Sequence, residues 1–218
     1  MARSIPPSLP RLRLLGRPGS INVRKLLWTL AELELDFVHE PQWGDPPSNL
    51  LSPEFRALNP NGLVPVLLDG DAILWESNTI CRYLAARSGR RDLLPDDPRA
   101  RAEVERWMDW QATDLNAAWN HAFMALVRRH PDFADPAAIR RSVDAWNARM
   151  ILLDRRLAET GAFAAGAGFT LADIVLVLSV HRWRQTPIDR PDLPSLAGYF
   201  ERLSARPAVA GLMVPGLP

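Results

Sequence analysis

The hydrophobic pattern of the chain changes near Asp97, and this change constrains the fold more than any other feature. Before it, short apolar runs typical of strands alternate with helical stripes; after it, the long stretches have helical spacing and no convincing strand. The charged segment GRRDLLPDD separates the two patterns and is typical of a domain boundary. The pattern predicts an α/β unit at 11–88, a linker at 89–97 and an all-helical unit at 98–218, preceded by a flexible tail at 1–10.

The first unit shows strand and helix signals in the order βαβ, then ββα. The segment RLRLLG is typical of a strand, and the apolar stripe that follows it recurs at the i, i+3, i+4 and i+7 positions of a helix. Two apolar runs around Asp69-Gly70 indicate a hairpin, and SNTICRYLAARSG is typical of a helix closed by Gly89. We interpret QWGDPPSNLLSPEF as a proline-rich loop, Phe37 and Val38 as the second strand, and Val23, Leu26, Leu27 and Leu30 as the stripe.

The second unit contains one very long helical stretch and one specific helix start. Residues 101–127 are expected to form a single helix. In FTLADI, Thr170 and Asp173 stand at the two positions of a capping box, and Phe169 and Ile174 at those of a hydrophobic staple. Because capping accounts for both polar side chains, we assign this motif a structural role.

Composition excludes several classes of function. The formal net charge is only +1, from 26 basic and 25 acidic residues, so no strong attraction to nucleic acid or to an anionic membrane is expected. Cys81 is the only cysteine, which excludes intrachain disulfides and thiolate zinc clusters. The histidines lack metal-ligand spacing such as HExxH, so we predict no metal. The longest apolar run, residues 171–180, is too short to span a membrane, and we expect a soluble cytoplasmic protein.

Two polar residues open the first helix, in the stretch GRPGSINVRKLL. A helix start leaves several N–H groups unsatisfied and carries a partial positive charge, which suits an anion. Ser20 and Asn22 are therefore candidates for contact with a negatively charged atom. The alternative is that one of them is simply the N-cap of the helix.

Two further motifs contain candidate binding residues: one through an unusual backbone conformation, the other through polar side chains. In NPNGLVPVL, Pro65 has no N–H to donate to a sheet, so it lies at a strand start or at an edge, and its peptide bond with Val64 is a candidate for the cis form. Glu76 and Ser77 precede a helix, where an acid can hold an ammonium while the hydroxyl and N–H groups hold a carboxylate. Such a pair suits an amino-acid zwitterion; the alternative is that Ser77 caps the helix.

Taken in order, these motifs resemble the cytosolic glutathione transferase family across nearly the whole chain, in its hydroxyl-type, bacterial-like form. The resemblance rests on SINVRKLLWTLAELEL, NPNGLVPVL, LWESNTICRYLA and FTLADI. It implies a thioredoxin-like N-terminal domain that binds glutathione, followed by an all-α C-terminal domain that supplies much of the pocket for the electrophile. It also implies a homodimer, with glutathione as co-substrate and a small apolar electrophile as partner.

By position, the resemblance assigns roles to individual residues. The backbone of Val64, before Pro65, pairs with the cysteinyl part of glutathione, and Glu76 and Ser77 hold its γ-glutamyl end. Ser20 faces the sulfur, with Asn22 as second candidate. A hydrogen bond donated to the sulfur favours the thiolate over a thiol whose ordinary pKa is about 8.5. The family's tyrosine and cysteine types do not fit, since Tyr83, Tyr199 and Cys81 lie elsewhere.

The helical half adds weaker assignments, and one position departs from the family. Trp110 and His121 are expected to line the electrophile pocket. Leu63 occupies a position where many members carry a lysine that reaches the glycyl carboxylate of glutathione. Two alternatives stay open: a glutathione-dependent peroxidase or disulfide reductase, and a non-catalytic scaffold that keeps the fold.

Overall fold

A computed structural model describes residues 12–214 of the chain. Its four strands form one mixed sheet in the order β2-β1-β3-β4, in which β1 runs parallel to β2 and antiparallel to β3, and β3 runs antiparallel to β4. The strands follow one another along the chain in the βαβ–ββα order predicted from the sequence. The strands are β1 (Leu12–Leu15), β2 (Phe37–Glu40), β3 (Val66–Asp69) and β4 (Ala72–Trp75). The tail predicted at 1–10 lies outside the described residues.

Eight α-helices complete the described fold, and beyond β4 its regular elements are helical apart from one isolated bridge. The helices α1, α2 and α3 belong to the strand-containing half, and α4 to α8 follow the segment 88–97. An α/β half followed by an all-α half is the predicted fold class. The helices are α1 (Ile21–Glu32), α2 (Pro53–Leu58), α3 (Ser77–Arg87), α4 (Pro98–Trp110), α5 (Asn116–Leu126), α6 (Pro136–Thr160), α7 (Leu171–Gln185) and α8 (Pro194–Ser204).

The proline-rich segment before β3 is more ordered than a loop, so that prediction was wrong in part. It contains a 3₁₀ turn, Pro47–Leu51, and helix α2. Ser52 caps α2, its hydroxyl accepting a hydrogen bond from the backbone N–H of Phe55, and Pro53 is the first helical residue. Proline is well tolerated there because the first N–H has no partner in a helix. The Ser-Pro pair was the signal that could have revealed α2.

The predicted single helix over 101–127 is interrupted. Between α4 and α5 the chain forms a π-helical segment, Gln111–Leu115. The side chain of Gln111 is buried and bonds to Asn116 and Ser179. A π segment inserts one residue into the helical repeat, and the apolar periodicity of the sequence did not indicate it.

The start of α7 is the capping box that the sequence predicts. Thr170 is the N-cap, and both halves of the box are formed with Asp173. The Asp173 carboxylate also accepts hydrogen bonds from the backbone N–H of Ala164 and from the Tyr199 hydroxyl, and burial raises its pKa. Phe169, just before the cap, stacks on Trp28 of α1 with ring centroids 6.2 Å apart. The motif therefore starts a buried helix and also packs against the first half of the chain.

Cys81 is fully buried in α3, as its neighbours in the sequence predict. The Thr29 hydroxyl donates a hydrogen bond to its sulfur at 3.2 Å. Burial raises the pKa of the thiol to about 11, so Cys81 stays protonated at neutral pH and behaves as a small apolar residue.

Candidate active site at the ends of two helices

A small cavity opens where the N-termini of α1 and α3 meet the start of β3. Five of the predicted catalytic and glutathione-binding residues lie together in its lining, although they come from three separate motifs. Asn59 and Leu63 complete the wall. The lining residues are Asn22, Asn59, Leu63, Val64, Pro65, Glu76 and Ser77.

The loop before β3 is held in place by its own side chains. The Asn59 amide donates a hydrogen bond to the Leu63 carbonyl at 2.7 Å, and its oxygen accepts one from the Asn61 N–H at 3.1 Å. The Val64-Pro65 bond is cis, as the sequence suggested, and β3 begins at the next residue. Pro65 therefore stands at a strand start, where its missing N–H costs no sheet hydrogen bond.

The loop after β1 packs directly on Val64. A Cβ placed on Gly16 would lie 2.5 Å from the Val23 side chain and 3.0 Å from the Val64 Cβ. These distances are too short for any larger residue, and the φ of +145° at Gly16 also favours glycine. Gly16 thus brings the start of α1 close to the backbone of Val64.

Glu76 and Ser77 lie at the start of α3, but Ser77 does not cap the helix. The N-cap is Glu76, and Ser77 is the first helical residue, so the interpretation of Ser77 as a cap was wrong. Glu76 has a φ of +71° and makes no side-chain capping bond. A left-handed non-glycine residue costs about 1–3 kcal/mol and is typical of functional sites. The acid faces solvent beside the helix start while Ser77 is buried.

Ser20 occupies the N-cap position of α1, but its hydroxyl makes no capping hydrogen bond. Its backbone N–H donates to the Arg17 carbonyl, and its own carbonyl accepts from the N–H of Arg24. The cavity lining includes Asn22, in the first turn, and not Ser20. The Ser20 hydroxyl therefore leaves the first-turn N–H groups of the helix uncapped by its side chain.

Trp110 and His121 lie away from this cavity. The Trp110 ring packs edge-on against Trp107, with centroids 5.3 Å apart, and the His121 ring lies 5.0 Å from Phe133. On α5, His121 is two residues after Trp119, which places the two side chains on opposite sides of the helix. The structure does not bring either predicted electrophile contact into the cavity lining.

One buried charge next to the site escaped the sequence analysis. Lys25 in α1 is fully buried, and its ammonium donates hydrogen bonds to Asn78 at 3.0 Å and to Gln111 at 2.7 Å. Burial lowers its pKa to about 7, against a smaller opposing effect of the Glu76 charge. Lys25 is the only lysine in the chain. That rarity is the one feature of the sequence that could have drawn attention to it, since nothing in its local pattern indicates burial.

Neither a membrane helix nor a metal centre is found in the part of the chain that the structure describes. None of its helices is long and apolar enough to cross a membrane. No three or more of its His, Cys, Asp and Glu side chains form a group suited to a metal ion.

The chain is similar to known proteins over most of its length. The model of the glutathione S-transferase N-terminal domain matches residues 14–92, and that of the C-terminal domain matches residues 120–207. Glutathione S-transferase GstB of Escherichia coli K12 is 40% identical over 207 residues, covering 94% of this chain and 99% of that one. The chain belongs to the glutathione S-transferase family. Glutathione S-transferase 3 of Zea mays is 33% identical, covering 95% of this chain and 97% of the relative.

Solved structures of the family share the fold of this glutathione S-transferase. A theta-class glutathione S-transferase from Xanthomonas axonopodis pv. citri, with glutathione bound, is 34% identical with a TM-score of 0.84. The match covers 96% of this chain and 100% of that one. The mixed sheet is therefore the thioredoxin-like N-terminal domain of the family, the helices from α4 onward are its helical C-terminal domain, and the protein is a transferase enzyme.

Proposed function

We propose that this glutathione S-transferase binds glutathione in the cavity at the starts of α1 and α3 and stabilises its thiolate for attack on an electrophile. The observation that carries the proposal is the convergence of Asn22, Val64, Pro65, Glu76 and Ser77 on one cavity. These residues come from three motifs that are separated in the sequence, so their meeting is a property of the fold.

The α1 terminus supplies the groups that favour the thiolate. The Ser20 hydroxyl makes no capping bond and is available to donate to a sulfur, and Asn22 is the second donor. A charge-assisted hydrogen bond contributes about 1.5–3 kcal/mol, and one unit of thiol pKa corresponds to about 1.4 kcal/mol. One such bond therefore lowers the thiol pKa by about one to two units, and the thiol proton leaves to solvent. No general base is needed.

The remaining lining residues suit the rest of glutathione. The Val64 backbone pairs with the cysteinyl amide, as an added strand pairs at a sheet edge. Exposed Glu76 attracts the γ-glutamyl ammonium, while Ser77 and the N–H groups of α3 receive its carboxylate. Both ends of this amino-acid zwitterion are thus matched by opposite charge or dipole.

Several wider statements belong to the same proposal. Glutathione is the co-substrate, and no metal takes part. The protein works in the cytoplasm as a homodimer, for which the exposed Ile73 and Trp75 on edge strand β4 supply apolar surface. The division at 89–97 is the domain boundary, and Trp110 and His121 keep their predicted role near the electrophile.

The test combines binding, thiol ionisation and turnover. Calorimetric titration with glutathione measures affinity, and ultraviolet difference absorbance between about pH 5 and about pH 9 measures the pKa of the bound thiol. We expect binding with a lowered thiol pKa, and we expect Ser20→Ala to raise that pKa by about one unit and reduce turnover about tenfold. An activity panel of an aryl halide, an organic hydroperoxide and a small disulfide identifies the reaction.

Ser204→Ala is the matched control, because that hydroxyl donates to the Phe200 carbonyl in α8. If Ser20→Ala changes neither the thiol pKa nor turnover, the role moves to Asn22, and Asn22→Ala should then produce the shift. Failure of the wild-type protein to bind glutathione at millimolar concentration would favour a non-catalytic scaffold.

A further inference from the structure

A hydrogen bond between two buried side chains lies directly behind the wall of the candidate cavity. Asn22 of α1 and Ser77 of α3 both line that cavity. Lys25 follows Asn22 by one helical turn, and Asn78 follows Ser77 immediately. The Lys25 ammonium donates a hydrogen bond to the side-chain oxygen of Asn78 at 3.0 Å. Because residues three apart are neighbours on a helix surface, this bond joins α1 to α3 one layer behind the lining residues.

The same two side chains also bind the helical domain. The Lys25 ammonium donates a second hydrogen bond to the side-chain oxygen of Gln111 at 2.7 Å, in the π-helical segment. The Asn78 amide donates to the backbone carbonyl of Met108 at 2.8 Å, in the last turn of α4. The start of α3 is therefore bonded to the second domain twice, once by its own side chain and once through Lys25.

A charged group is an expensive way to make such a contact, which indicates a role for the charge itself. Lys25 and Gln111 are 1% exposed and Asn78 is 8% exposed. Apolar side chains of similar volume often replace buried charged groups without loss of stability. The two amides that accept hydrogen bonds from Lys25 are neutral. In its protonated form, Lys25 therefore places a positive charge behind the start of α3 that these bonds do not neutralise.

The ionisable groups that act on Lys25 belong to α3, its N-cap and α7. Burial lowers the pKa of Lys25 to about 7; by smaller amounts, Cys81 and Glu76 raise it and Arg182 lowers it. The Cys81 thiol stays protonated at neutral pH, since its own pKa is about 11, and the π segment faces Lys25 with the neutral amide of Gln111. Lys25 is therefore about half protonated at neutral pH, and negative charge near the start of α3 favours its protonated form.

The proposed function puts such a negative charge at this place, because the γ-glutamyl carboxylate of glutathione is assigned to Ser77 and the N–H groups of α3. We propose that Lys25 is a positioning residue for glutathione, whose charged ammonium holds the start of α3 through Asn78 and attracts the γ-glutamyl carboxylate. This inference rests on the proposed function and adds to it a charge that comes from none of the lining residues. Lys25 does not line the cavity, so it acts without contact with the ligand.

The proposal links glutathione binding to protonation of Lys25. If the bound carboxylate favours the ammonium, then protonation favours binding to the same extent. Below about pH 7 Lys25 is already charged, and binding needs no further proton. Above about pH 7 the protein takes up a proton when it binds the ligand, so affinity falls as pH rises. A rise of one unit in the pKa of Lys25 corresponds to a fall of up to about tenfold in affinity.

Calorimetric titration with S-methylglutathione tests this linkage. The sulfur of this ligand carries a methyl group, so no thiol proton is released on binding. Between about pH 6 and about pH 8.5 we expect the wild type to lose affinity by up to about tenfold. Near about pH 7.5 we expect net uptake of protons, measured as the dependence of the binding heat on the ionisation enthalpy of the buffer.

Lys25→Met removes the charge while keeping a side chain of similar length, and it should remove this part of the pH dependence and of the proton uptake. The amino group of the ligand and the histidines of the protein titrate in every variant, so the difference from the wild type isolates Lys25. Thr29→Val is the matched control. Thr29 is also buried in α1 and bonds across to α3, at the Cys81 sulfur, but not to the start of α3. It should keep the pH dependence of the wild type.

A second measurement needs no variant. Because Lys25 is the only lysine, the side-chain NMR signal of labelled lysine gives its pKa in the wild type with and without saturating S-methylglutathione. We expect the ligand to raise this pKa by about one unit. This result would establish the linkage even if Lys25→Met does not fold.

Two outcomes overturn the proposal while leaving glutathione binding intact. One is a lysine pKa that the ligand leaves unchanged. The other is a Lys25→Met variant that loses affinity equally at every pH and keeps the pH dependence of the wild type, because Lys25 would then only support the packing of α3. Absence of S-methylglutathione binding by the wild type at millimolar concentration is a distinct result, which overturns the proposed glutathione site and this inference with it.

Discussion

The Lys25 ammonium donates a 2.7 Å hydrogen bond to the side-chain oxygen of Gln111. The two residues are 86 positions apart, and their bond joins α1 of the thioredoxin-like half to the π-helical segment of the helical half. Gln111 in turn donates to Asn116 and Ser179. The only lysine of the chain therefore makes a buried hydrogen bond between the two halves, at the place where the long helix departs from regular α geometry.

Lys25 should titrate near neutral pH. Burial lowers its pKa from its ordinary value of 10.5 to about 7. Because no other lysine is present, the side-chain NMR signal of isotopically labelled lysine reports on this residue alone. We expect its chemical shift to follow a transition near pH 7 in the folded protein. A transition above about pH 10, the range of an ordinary lysine, would contradict the buried environment.

The same pKa predicts how stability depends on pH. Between about pH 7 and the unfolded-state pKa, the unfolded chain binds a proton at Lys25 that the folded protein does not, so stability rises with pH. From about pH 7 to about pH 8.5 we expect the wild type to gain up to about 2 kcal/mol relative to Lys25→Met, measured by urea unfolding. Parallel curves for the two proteins would show that Lys25 is not the cause.

His181 should make the fold sensitive to mild acid. It is 1% exposed, its ring stacks on Phe200, and burial together with the charge of Arg24 lowers its pKa to about 4. Between about pH 6.5 and about pH 4 the unfolded state takes up a proton that the folded state does not, so stability falls as pH falls, by up to about 3 kcal/mol.

His181→Phe should remove that part of the acid sensitivity in denaturant unfolding measured at about pH 7 and about pH 4.5. Replacing the exposed His130 by Gln is the control for loss of a histidine. If His181→Phe and the wild type lose equal stability on acidification, the buried imidazole does not cause the effect.

Leu63→Lys should tighten glutathione binding. Leu63 lines the cavity and is 61% exposed, so a lysine there can reach a bound carboxylate without being buried. An exposed charge contact of up to about 1 kcal/mol lowers KM for glutathione by about fivefold. Val38→Lys adds the same charge on edge strand β2 and should leave KM unchanged. An unchanged KM in both variants would place the glycyl carboxylate elsewhere.

Much of the fold and part of the candidate site follow from local sequence signals. The βαβ–ββα order of the elements, the Asp69-Gly70 hairpin and the α7 capping box were predicted correctly because each depends on the pattern of neighbouring residues. The motifs that contain Asn22, Pro65 and Glu76 also supply the residues that line the cavity, although Ser20 is not among them. Helix α2 was missed although Ser52 and Pro53 mark its start.

The sequence alone determined the order of the elements and the residues at their ends, since capping, turn chemistry and apolar periodicity act over a few residues. The tertiary structure alone decided that Lys25 is buried against Gln111, that a π segment interrupts the long helix, and that Arg128 and Arg182 both lie over the Phe123 ring. Those relationships depend on how α1, α5 and α7 pack. A charged side chain has the same local pattern whether packing leaves it in water or encloses it.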